Sequence, residues 1–127
     1  MWIQCNPNPK GKAVGDCVVR AVAIATRQPW RQAYRALCAQ GDEEADMPSS
    51  DEVWGAYLDR MGFERHVIPN SCPHCYTLRD FCADHPTGVY VLGTGRHAVC
   101  AIDGNYLDAW DSGNEVPIYY WRESNGI

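Results

Sequence analysis

No apolar run in the 127-residue chain approaches the roughly 20 residues of a membrane span, which excludes a transmembrane helix. Internal repeats, low-complexity tracts and long linkers are missing too, so a single domain is expected. Positive charge is scarce. Eleven Lys and Arg stand against 16 Asp and Glu, for a net charge of −5. A general nucleic-acid binder needs a basic face to displace counterions, so that class is excluded. The opening residues Met1-Trp2-Ile3-Gln4-Cys5-Asn6-Pro7 lack the charged-then-apolar order of a secretory leader. A cytoplasmic location is therefore expected, with no membrane partner.

What the chain does have is a hydrophobic fraction of 46%, enough for a core and too high for disorder. It also has seven cysteines. An odd count without a leader does not describe a disulfide scaffold. These residues are expected to be thiols, several of them small core residues.

Turn formers fill the first 15 residues, which predicts an irregular N-terminal arm. A helical part follows over 16–62. Asp16 is placed to cap a helix near 17–26, with Val18, Ala21, Val22 and Ala25 on its buried face. Pro29 suits the first turn of a second helix, which is expected to end near Gly41 before an acidic loop. Ser49 and Glu52 have the spacing of a capping box before a third helix, which stops at Gly62. Residues 63–88 read as a connection holding a short strand, a cysteine-containing loop and a short helix near 76–84. Strand signals then run through 89–122. Asp103-Gly104 predicts a tight hairpin, and Pro117 predicts that the last strand, Val116 to Trp121, lies at an edge. Helices first and a mostly antiparallel sheet second define an α+β domain.

Cys17 follows Gly15-Asp16 at a helix start, where free N–H groups and the helix dipole favour a thiolate. A thiolate nucleophile needs an imidazole to ionise it, and the imidazole needs an orienting acceptor. His97 opens a predicted strand and is the best imidazole. The next strand carries Asp108 and Asp111. With a two-residue turn, Ile102 pairs with Asn105, which puts Asp108 on the His97 face. A three-residue loop shifts the register by one and selects Asp111 instead.

Three stretches carry a family likeness: Gly15-Asp16-Cys17-Val18-Val19-Arg20-Ala21, His97-Ala98-Val99-Cys100-Ala101-Ile102-Asp103-Gly104, and Tyr106-Leu107-Asp108-Ala109-Trp110-Asp111-Ser112-Gly113. Together they resemble small papain-like cysteine peptidases, in a bacterial and phage-associated branch. The likeness spans residues 6 to 121. It implies a papain-like fold, a nucleophile at Cys17, a general base at His97 and an orienter at Asp108. It also implies a peptide or protein substrate and no cofactor. The papain pattern places a glutamine six residues before the nucleophile as oxyanion donor, and Gly11 stands there instead. Gln4, Asn6 and Asn8 lie further upstream as substitutes, beside the Cys17 backbone N–H. Transglutaminase-like enzymes share the Cys, His, Asp order, so proteolysis, deamidation and acyl transfer all stay open. A non-catalytic domain on the same fold stays open as well.

Cys72-Pro73-His74-Cys75 competes as a redox pair or half of a zinc site. Cys72, Cys75 and Cys82 with His74 or His85 would supply four zinc ligands, but no second Cys-x-x-Cys accompanies them. A loop capping the fourth helix is the plainer expectation. The aromatics of Ile118-Tyr119-Tyr120-Trp121 fit core packing, or a peptide groove beside the cleft.

Overall fold

The computed structural model describes residues 1–124. Four helices and six strands follow in the order β1 (Trp2–Gln4), α1 (Cys17–Ala25), α2 (Trp30–Glu44), α3 (Asp51–Arg60), β2 (Phe63–Val67), α4 (Leu78–Asp84), β3 (Val89–Gly93), β4 (Ala98–Ile102), β5 (Asn105–Asp108) and β6 (Tyr119–Glu123). One sheet has the strand order β1-β5-β4-β3-β6-β2. All pairings are antiparallel except β1 with β5. The chain is therefore α+β. No helix of the described residues is long and apolar enough to cross a membrane.

The centre of the sheet is covered on both faces, and its strands read accordingly. Every residue of β3 is buried, as are Ala98 to Ala101 of β4. A doubly covered strand is apolar throughout rather than alternating. Val91 and Cys100 join the cluster formed with α1, α2 and α3. Leu92, Val99 and Ala101 face the other way, against Leu78 and Phe81 of α4. The helix α1 lies on β4, which brings its N-terminus to the start of that strand.

Several expectations are corrected. The arm is not irregular from its first residue: Trp2–Gln4 form an edge strand, in register with Tyr106 to Asp108. The helix α2 does not stop at Gly41 but runs on to Glu44 and ends at Ala45 in the left-handed conformation. Gly41 is buried inside the helix, where an added Cβ would meet the Asp46 carbonyl oxygen at 2.5 Å. Its glycine serves a close chain approach, not termination. Asp16 does not bond the N–H groups of α1, and α3 starts after Ser50 with no side-chain cap. The capping box lies elsewhere, at Thr77 and Asp80 of α4. The last strand begins later than expected and is internal, between β3 and β2. Pro117 sits buried ahead of it. That leaves residues 119–123 with every backbone donor that two neighbouring strands require.

The hairpin turn follows its sequence signal. Asp103 and Gly104 both have positive φ, 50° and 82°, as a type I′ turn demands. Ile102 pairs with Asn105 and Cys100 with Leu107.

Candidate active site

The hairpin register carries Asp108 to the end of β5, beside the residue that precedes β4. There the His97 Nε2 lies 2.7 Å from Asp108 Oδ2. With Nε2 so engaged, Nδ1 is the nitrogen left for Cys17, which stands at the first residue of α1. Cys17 and His97 line one cleft together with Ala98, and each shifts the other's ionisation.

Asp108 is only 3% exposed and its carboxylate is fully occupied. The Ala109 N–H reaches Oδ1 at 2.8 Å, the Ser112 hydroxyl reaches Oδ2 at 2.6 Å, and Arg20 Nη2 reaches Oδ1 at 3.4 Å. Asp16, also buried, accepts from Arg20, from Trp30 Nε1 at 2.9 Å and from Asn8 Nδ2 at 3.2 Å. The indole of Trp110 lies 4.9 Å from the His97 ring and shields it from water.

These neighbours fix the charges. Burial works against charge at all three groups, and hydrogen bonding overcomes it. For His97, the bonds to Asp108 and Cys17 outweigh burial and push its pKa up to about 9. For Cys17, burial is outweighed by His97, the Ala98 N–H and the positive charge of Arg20, so its thiol falls below the ordinary value. For Asp108, burial is outweighed by His97 and Ser112, and its carboxyl stays below the usual range. Thiolate, imidazolium and carboxylate are the forms this arrangement stabilises.

Asp111 is elsewhere. It is exposed, accepts from the Tyr106 hydroxyl and the Gly113 N–H, and lies 3.6 Å from Arg79. The arm residues also divide. Asn6 accepts from the Asn8 N–H, and Asn8 accepts from the Lys10 and Lys12 N–H groups. Both carboxamides hold the arm's own turns, and that of Asn8 also ties the arm to Asp16. Gln4 is exposed on β1, paired in register with Asp108. The Cys17 N–H belongs to the four that a helix start leaves without intrahelical partners.

Cys17 and His97 face a cleft of about 180 Å³ walled by Gly15, Ser49, Asp51 and Arg96. Asp51 also walls a larger open groove of about 490 Å³, whose opposite side is Arg65, Tyr119 and Trp121. Gly15, Val18 and Ser49 of the cleft also line an apolar pocket with Val14, Trp30 and Tyr34.

Cys72, His74 and Cys75 are exposed in the loop before α4, while Cys82 is turned into the core. Among the described residues no three His, Cys, Asp or Glu side chains converge as a metal site requires. His85 stacks on Phe81 with ring centroids 3.8 Å apart, and His66 pairs with Glu64. Arg20, Ser112 and Trp110 are site residues that sequence reasoning misses. Arg20 alone had a readable signal, its i, i+4 spacing from Asp16.

No protein family, curated protein or solved structure matches this chain.

Proposed function

We propose that the protein is a papain-like cysteine-dependent hydrolase or acyl transferase acting on a peptide or isopeptide bond. The observation that carries this reading is the 2.7 Å bond from His97 to a buried Asp108, with Cys17 and His97 lining the same cleft. The nucleophile on a helix start, the base before a central strand and the acid on the next strand support a papain-like arrangement.

The chemistry follows from the charges. The Cys17 thiolate attacks the carbonyl carbon, and the helix N-terminus stabilises negative charge there. The Cys17 N–H donates to the developing oxyanion. The His97 imidazolium gives its proton to the leaving nitrogen as the C–N bond breaks, which leaves a thioester on Cys17. Water, or an acceptor amine, then attacks the thioester while His97 takes the proton back. The C–S bond breaks, product leaves, and the ion pair is restored. Asp108 keeps one imidazole tautomer aimed at the sulfur throughout. The two grooves that share walls with the cleft leave room for substrate beyond the scissile bond.

Iodoacetamide at pH 6 tests the reading without a known substrate. An ordinary thiol is only about 0.3% thiolate at that pH. Cys17 should be alkylated selectively among the seven cysteines. Peptide and isopeptide libraries should then be turned over by the wild type and not by Cys17→Ala. Folded protein whose Cys17 reacts no faster than Cys72 or Cys75 would sink the proposal.

A further inference from the structure

Arg20 sits one turn along α1 from the nucleophile, and its side chain is only 9% exposed. One end of its guanidinium pairs with Asp16, the residue just before Cys17. The other end reaches Asp108 across 88 residues of sequence. Its Nε is buried with no partner. A buried donor left unpaired is costly, and such costs gather at functional sites. We infer that Arg20 is a positioning residue of the catalytic site: it ties the acid that orients His97 to the helix that carries the nucleophile. This rests on the proposed catalytic reading and adds a residue that acts through Asp108 rather than on substrate.

The electrical consequence follows from what surrounds the pair. From α1 it faces Asp16 and Arg20. From β5 it faces Asp108, and Cys5 interacts with that carboxylate from the arm. From α3 and the β3–β4 turn, Asp51 and Arg96 line the same cleft. Arg20 is the one cation among these that is buried together with the carboxylates. Without it, Asp16 and Asp108 become two buried carboxylates with no fixed cation between them, close to a thiolate. That raises the cost of the thiolate. Lysine returns the charge but not the two-ended fork.

The test is the pH profile of iodoacetamide alkylation at Cys17, with thermal melts to confirm folding. Arg20→Gln should move the low-pH limb upward by about one unit, roughly a tenfold slower reaction at pH 6. Arg20→Lys should return the limb most of the way. Asp16→Asn removes the buried carboxylate that holds one end of Arg20, at the residue before Cys17, and should move the limb downward. It reads the same coupling with opposite sign if Arg20→Gln does not fold. A residue that only supports the fold would lower the melting temperature and leave the limb where it is. An unmoved limb in folded Arg20→Gln, or in Asp16→Asn where the former does not fold, overturns the inference. So does a lysine variant whose limb coincides with the wild type's, because charge without the two-ended fork would then suffice. In all those cases selective labelling of wild-type Cys17 leaves the catalytic reading standing. If wild-type Cys17 is not selectively labelled, the catalytic reading fails first and this inference with it.

Discussion

Asp108→Asn separates the two aspartates of the hairpin and probes the charge state of the site. The His97 pKa of about 9 lies above its ordinary 6.5 because bonds to Asp108 and Cys17 overcome burial. Replacing the carboxylate with an amide removes a charge-assisted hydrogen bond, worth about 1.5–3 kcal/mol. At 1.36 kcal/mol per pH unit, that is a fall of roughly one to two units for His97. The amide also presents an NH₂ where three of the present partners, Ser112, Ala109 N–H and Arg20, are donors. His97 should therefore titrate near 9 in the wild type and at roughly 7–8 in Asp108→Asn. Ring ¹⁵N chemical shifts followed by NMR read this directly. Asp111→Asn is the matched control, because Asp111 bonds Tyr106 and Gly113 rather than His97. It should leave the His97 titration in place. Two results would refute the reasoning: a folded Asp108→Asn protein whose His97 still titrates near 9, or an equal fall in Asp111→Asn.

Three further outcomes are expected. His97, raised to about 9, stabilises the fold fully below its ordinary 6.5 and loses that contribution as pH rises through its folded pKa, whereas the lowered Cys17 thiol contributes with the opposite slope. Cys17→Ser removes that offset, so its melting temperature should fall more steeply than the wild type's as pH rises from 6.5 towards 9. Gly41→Ala forces a methyl against the Asp46 carbonyl and should cost about 1–3 kcal/mol in urea unfolding, despite alanine's better helix propensity. The double substitution Cys72→Ser with Cys75→Ser should leave the rate of Cys17 alkylation unchanged, as the loop's exposed thiols form no part of the cleft.

The helices and the hairpin are legible because local chemistry decides them. Asp103-Gly104 admits one favoured turn, that turn sets the register, and the register brings Asp108 rather than Asp111 to His97. What long-range packing decides is not legible in the same way. Gly41 has the signature of a helix stop, yet it is kept inside α2 by the approach of Asp46. Asp16 has the signature of an N-cap, yet the side chains of Asn8, Arg20 and Trp30 claim its carboxylate instead of the helix N–H groups. Pro117 marks an edge only if the strand includes it, and β6 starts two residues later. Trp2–Gln4 are too short and too exposed to carry a strand pattern, and pairing with β5 alone makes them one.

That short first strand has a bearing on how the site comes apart. The Cys5 N–H bonds the Asp108 carbonyl at 2.9 Å, and Trp2 Nε1 reaches the same oxygen at 3.1 Å across 106 residues. The backbone of Asp108 is thus held by a three-residue edge strand, whose side chains are all exposed, and by the residue that follows it. Segments with so little buried surface open at a small fraction of the global unfolding free energy. Contacts this distant in sequence also form late when a chain folds. On gentle heating the arm should exchange its amide hydrogens first and reactivity at Cys17 should decline with it, while Val91 and Cys100 stay protected. Fraying of the arm, rather than melting of the core, then sets the temperature at which the arrangement of Cys17, His97 and Asp108 is lost.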